Sequence, residues 1–154
     1  MRSPALERPM KAASDIGRPA VLFGALLAIA ILDPAGPGTA RLAVVALVPV
    51  NLTVEALKRL VNRTRPDGEQ KRSNASFPSS HAANAATLAA VLARRWRRLT
   101  VPAWVAAGIS GFSRMYLDRH FLSDVLVGGA LGMLGVWAAA RWVANWTERK
   151  RRVQ

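Results

Sequence analysis

The 154-residue chain contains no cysteine, which excludes disulfides, thiolate nucleophiles and cysteine-ligated metals. It carries only two histidines, His81 and His120, too few donors for a zinc site built from the usual ligands. Acidic residues are scarce, nine against 22 Lys and Arg, for a formal charge of +13. A soluble chain this basic would suit nucleic acid. The layout argues against that partner, because the charges fall in clusters between apolar runs and 51% of the residues are hydrophobic. Charged connections between apolar runs are the pattern of an integral membrane protein.

Five apolar runs are present: 20–32, 42–60, 79–92, 101–112 and 122–143. Crossing a hydrocarbon core takes about 20 residues. The third and fourth runs reach that length only with their polar ends, and a soluble helical core would suit such short runs. The fifth, "VLVGGALGMLGVWAAARWV", favours the membrane, with glycines at spacings that allow close helix packing. The expectation is an all-α bundle of about five transmembrane helices. Residues 1–18 read as a polar tail or interfacial segment, 19–146 as the transmembrane domain, and 147–154 as a basic tail. The first apolar run could serve as a signal-peptide core ending near "GPGTA", but its charged leader is long, which favours a retained span. Four Asn-x-Ser/Thr triplets, starting at Asn51, Asn62, Asn74 and Asn145, read as chance occurrences.

Five spans dictate sides. Lys58, His81, Arg114, His120 and Asp124 all fall at span ends on one face, and "ARRWRRLT" and "TERKRRVQ" on the other. Polar groups at such depth cost free energy unless they are paired or used. Lys58, Arg65 and Arg114 bring three cations to one face, which suits a multiply charged anion such as phosphate. Arg59 and Arg63 read as snorkelling interfacial charges. His120 and Asp124 stand four apart and would share a helical face. A carboxylate on one imidazole nitrogen sets the tautomer and frees the other nitrogen to attack. Asp124 equally suits the N-terminal end of a helix, where its charge favours the dipole. In "FPSSH", Ser79 and Ser80 open the third run, either as a helix N-cap or as part of an anion cradle.

"KRLVNRTRP", "PSSH" and "SRMYLDRHFLSD" resemble the three signature motifs of the type 2 phosphatidic acid phosphatase family, K-x6-R-P, P-S-G-H and S-R-x5-H-x3-D. The resemblance covers Lys58 to Asp124 with order and spacing intact. It implies Lys58, Arg65 and Arg114 as phosphate-binding cations, with Ser79 and Ser80 at the phosphate. It also implies His120 as the nucleophile that becomes phosphohistidine, Asp124 as its orienting partner, and His81 as general acid. No metal or other cofactor is expected, since cationic side chains take over the neutralisation of charge. Ser80 replaces the family's usual glycine, which would let backbone approach phosphate closely. Two apolar runs precede the first motif, where family members commonly have six spans in all.

The implied reaction is metal-independent removal of phosphate from a lipid at the membrane surface. Candidate substrates are phosphatidic acid, phosphatidylglycerol phosphate, a polyprenyl diphosphate or a polyprenyl-linked phosphosugar. Rival readings are a lipid A phosphatase or phosphotransferase of the same family, or an inactive lipid-binding protein. Soluble acid phosphatases and vanadate-dependent haloperoxidases share the motifs but not the apolar runs. Orientation is finely balanced, with 12 basic residues on the motif face and ten on the other. The compact "ARRWRR" connection and the basic tail, together with the family resemblance, favour a bacterial inner-membrane protein with a periplasmic site.

Overall fold

The computed structural model describes residues 4–69 and 74–153. Arg2, Lys71 and Arg72, counted above among the motif-face cations, lie outside them. The described residues form six α-helices and no strand: α1 Pro4–Asp15, α2 Pro19–Leu32, α3 Gly36–Val61, α4 Ser80–Arg95, α5 Thr100–Tyr116 and α6 Leu122–Val153. A 3-10 turn, Arg97–Leu99, joins α4 to α5. The five apolar runs correspond to α2 through α6. The segment read as a polar tail or interfacial stretch forms α1, and the basic tail continues α6.

Helix boundaries follow local chemistry. Pro19 opens α2, where a missing N–H costs nothing. α3 ends at Asn62 in the left-handed conformation, φ 43°, a position asparagine tolerates. Ser79 caps α4, its hydroxyl accepting from the Ala82 N–H.

The alanine-rich α4 is the central helix, packed against α3, α5 and α6. Ala82, Ala83, Ala85, Ala86 and Ala89 are all buried, and their small side chains let neighbours approach closely. α6 answers with glycine: a Cβ on Gly132 would sit 2.4 Å from the Ala83 carbonyl oxygen, and one on Gly128 2.4 Å from that of Ser79. Large apolar side chains point outward instead, among them Phe23, Leu27, Ile31, Val48, Leu52, Val105, Leu126 and Leu134. Such a belt suits lipid rather than water.

Among the described residues two helices are long and apolar enough to cross a membrane, Gly36–Val61 and Leu122–Lys150, or three if α1 and α2, bent by 52°, form one span. α4 has 16 residues and α5 17, about 24–26 Å at 1.5 Å per residue. By their own length they fall short of a full crossing, so the expected count of five rests on their polar ends. At the bundle end away from the motifs, Arg95 grips Asp33 through two bonds of 2.7 and 2.6 Å.

Candidate active site

The site assembles at the end where α3, α5 and the starts of α4 and α6 meet. Lys58 projects from the last turn of α3 and is 7% exposed despite its charge; its Nζ lies 3.5 Å from a Glu55 carboxylate oxygen. Arg65 follows in the connection to α4 and is 6% exposed. Its Nε donates to the Asn74 carbonyl at 2.8 Å, and its Nη2 to the Asn74 side-chain oxygen. Arg114 comes from the last turn of α5. These three cations, with Ser80, His81 and His120, line one cavity of about 680 Å³. Motifs far apart in sequence thus reach one volume because α4 sits at the centre of the bundle.

Ser79 and Ser80 sit differently. The Ser79 hydroxyl caps α4 and its N–H donates to the Asp124 carbonyl at 3.0 Å. Ser79 is fully buried and is not among the residues lining the cavity; its hydroxyl serves as the cap. Ser80, one residue on, does line it, beside His81.

His120 and Asp124 depart from the expected pairing. His120 precedes α6 rather than lying on it, so four-residue spacing does not stack them. The His120 Nδ1 is 3.8 Å from Asp124 Oδ2, beyond a hydrogen bond, and 2.7 Å from the Ser76 carbonyl oxygen. A carbonyl only accepts, so Nδ1 carries the proton and Nε2 holds the lone pair. Asp124, fully buried, acts one step back. It accepts from Ser76 Oγ at 2.5 Å, from the Phe121 N–H at 2.9 Å and from Arg63 Nη1 at 2.8 Å. It therefore holds both segments that carry the His120 contact and caps the start of α6.

Arg63 is not a loose interfacial charge. Besides Asp124 it donates to Ser123 Oγ at 2.8 Å, and its guanidinium lies 4.1 Å from the Phe121 ring centre. Arg119 also lines the cavity, and bridges Asp67 and Glu69 at 3.0 Å each. Asn51 donates to Asn84 at 2.9 Å where the cavity meets α3 and α4. No sequence signal distinguished Ser76, Arg63 or these amides, because their partners are 33 to 61 residues away.

Burial, then the charges of Arg114 and Arg65, push the His120 imidazole down to about 3. At neutral pH the ring is uncharged, the form in which Nε2 is a nucleophile. Among the described residues no three His, Asp or Glu side chains cluster as metal ligands. The cavity carboxylates Glu55 and Glu69 face Lys58, Arg65 and Arg119 instead.

Similarity to known proteins follows the same geometry. The chain is 37% identical over 93 residues to phosphatidylglycerophosphatase B of Bacillus subtilis, covering 52% of this chain and 46% of that protein. It is 42% identical over 82 residues to decaprenylphosphoryl-5-phosphoribose phosphatase of Mycobacterium tuberculosis, covering 49% and 45%. The matched stretches thus span about half the length of these two curated relatives. Among solved structures, LpxE of Aquifex aeolicus superposes with a TM-score of 0.81 at 26% identity, covering 91% of this chain and 88% of that one. The three motifs, their convergence on one cavity and a PAP2 superfamily profile matching residues 39–148 lead to one assignment: the chain belongs to the PAP2 superfamily.

Proposed function

We propose that this protein is a membrane-embedded lipid phosphatase that works through a phosphohistidine intermediate without a metal. The observation that carries this reading is the gathering of Lys58, Arg65, Arg114, His81 and His120 around one cavity. That cavity shares Pro19, Asn51 and Asn84 with an apolar groove of about 270 Å³ lined by Leu22, Phe23, Leu26, Val44, Leu47 and Val48. A phosphate beside the cations and a hydrocarbon chain in the groove would match a lipid phosphate. The relatives named above act, by name, on phospholipid and polyprenyl-linked phosphates.

In the proposed reaction His120 Nε2 attacks phosphorus. The N–P bond forms as the P–O bond to the lipid breaks, and His81 gives the departing oxygen its proton. Water, losing a proton to His81, then attacks phosphorus; the N–P bond breaks and inorganic phosphate leaves. Lys58, Arg65, Arg114 and the α4 start at Ser80 would stabilise the charge on the phosphoryl oxygens. Asp124 positions His120 through Ser76. The reading includes five spans in a bacterial inner membrane, with the cavity on the periplasmic face.

The test is release of inorganic phosphate by purified protein, in detergent with EDTA, from phosphatidic acid, phosphatidylglycerol phosphate, a polyprenyl diphosphate, a polyprenyl-linked phosphosugar and lipid A. Hydrolysis of at least one, inhibited by vanadate as a mimic of the transition state, is the expected result. No turnover of any, or activity that needs added magnesium, would overturn it.

A further inference from the structure

Residues 4–18 precede the matched family region, yet they reach the cavity: Gly17 and Arg18 line it, and the helix before them packs behind Arg114. α1 packs along α5, and its last turn buries Ser14 at 3% exposure. A buried hydroxyl is unfavourable unless bonded, and Ser14 Oγ accepts from Arg114 Nη1 at 2.6 Å. Arg114 Nε is buried with no hydrogen-bond partner among the described residues, while the residue lines the cavity. Beyond α1, Gly17 lies so close to His81 that a Cβ would sit 2.5 Å from the His81 carbonyl oxygen. The Gly17 carbonyl accepts from Asn84 Nδ2 at 3.4 Å, and Gly17 and Arg18 line the cavity too.

We infer that the N-terminal helix braces the phosphate site from behind, and that Ser14 is the positioning residue that aims Arg114 at the substrate phosphate. The inference rests on the phosphatase reading above. An arginine fork recognises phosphate well only when its plane is set. Arg63 and Arg119 are set by carboxylates, which offset their charge. Ser14 sets Arg114 with a neutral oxygen, and the nearby Asp15 pairs with Arg18 at 2.9 Å, so positive charge on Arg114 stays available to an anion.

The experiment uses the full chain in detergent and reads vanadate affinity by calorimetry, kcat and KM on the hydrolysed lipid phosphate, and Tm. Ser14→Ala weakens vanadate binding roughly tenfold, as expected for a lost hydrogen bond that orients a charged group. KM rises more than kcat falls, and Tm holds. Ser14→Thr keeps the oxygen and restores affinity. Arg8→Gln, at an exposed position of the same helix, matches wild type. Unchanged vanadate affinity in Ser14→Ala overturns the inference, as does Ser14→Thr as impaired as Ser14→Ala. If the wild type binds vanadate but hydrolyses no lipid phosphate, the activity reading fails alone, and the Ser14→Ala affinity loss still supports the arrangement.

Discussion

His120 and His81 line one cavity but have different proposed tasks, and the difference is measurable. His120→Ala should abolish turnover, because the covalent route loses its nucleophile. His81→Ala should cost roughly 10²–10⁴ in rate, and an activated aryl phosphate, whose leaving group needs no proton, should rescue His81→Ala alone. Equal response of both variants would refute the assignment. The position of His120 also sets a pH dependence. Its imidazole falls from an ordinary 6.5 to about 3 on folding, chiefly through burial. Between those values the unfolded chain binds the proton and the folded chain does not, so this group's contribution to stability is lost as pH falls from 6.5 toward 3. Tm of His120→Gln should therefore fall less steeply than that of wild type across this window. Parallel slopes would show that His120 is not held neutral. Arg63 and Arg59 make a second contrast. Arg63→Ala leaves the buried Asp124 without its 2.8 Å partner and should cost about 1–3 kcal/mol in detergent unfolding. Arg59→Ala, at an exposed position, should be close to neutral. Equal effects would return Arg63 to the snorkelling role that its sequence position alone suggested.

At the scale of elements, the α4–α6 seam decides whether the motifs meet. Ser79, Ser80 and His81 start α4, and Asp124 lies in the first turn of α6. Gly132→Ala would push a methyl to 2.4 Å from the Ala83 carbonyl oxygen. Backbone cannot rotate away as a flexible side chain can, so the helices must separate. The expected cost is about 1–3 kcal/mol from overpacking, read as a lower unfolding midpoint in detergent, with reduced phosphate release. Gly129→Ala, where a Cβ meets nothing within 4 Å, is the matched control. If the two variants behave alike, the seam is not the constraint described. This seam was legible in the sequence as small residues at helical spacing, though not which helix it faces. The bend between α1 and α2 was not legible, because a polar, proline-containing stretch reads equally well as tail or helix until α5 gives it a surface.

For the whole molecule the open quantity is orientation. Single cysteines placed at Ser73, outside the described residues, and at Thr100, the first residue of α5, report on opposite ends. With the active site in the periplasm, a membrane-impermeant thiol reagent applied to intact cells should label position 73 and spare position 100. The reverse pattern would move the substrate pool to the inner leaflet. No background labelling complicates the result, since the chain has no cysteine of its own.

Sequence alone determined the helical class, the apolar runs and the identity of the catalytic candidates, because these depend on local composition and on spacing within motifs. It also brought Lys58, His81, Arg114 and His120 to one end, because alternating spans leave little choice of side. Tertiary structure decided how those residues are held. His120 Nδ1 is taken by the Ser76 carbonyl, Asp124 acts through Ser76 and Arg63, Ser79 caps while Ser80 faces the cavity, and Ser14 reaches Arg114 from 100 residues away. A hydrogen bond depends on distances of a few tenths of an ångström between segments remote in sequence. Those distances exist only once glycine and alanine seams have set how closely the helices pack.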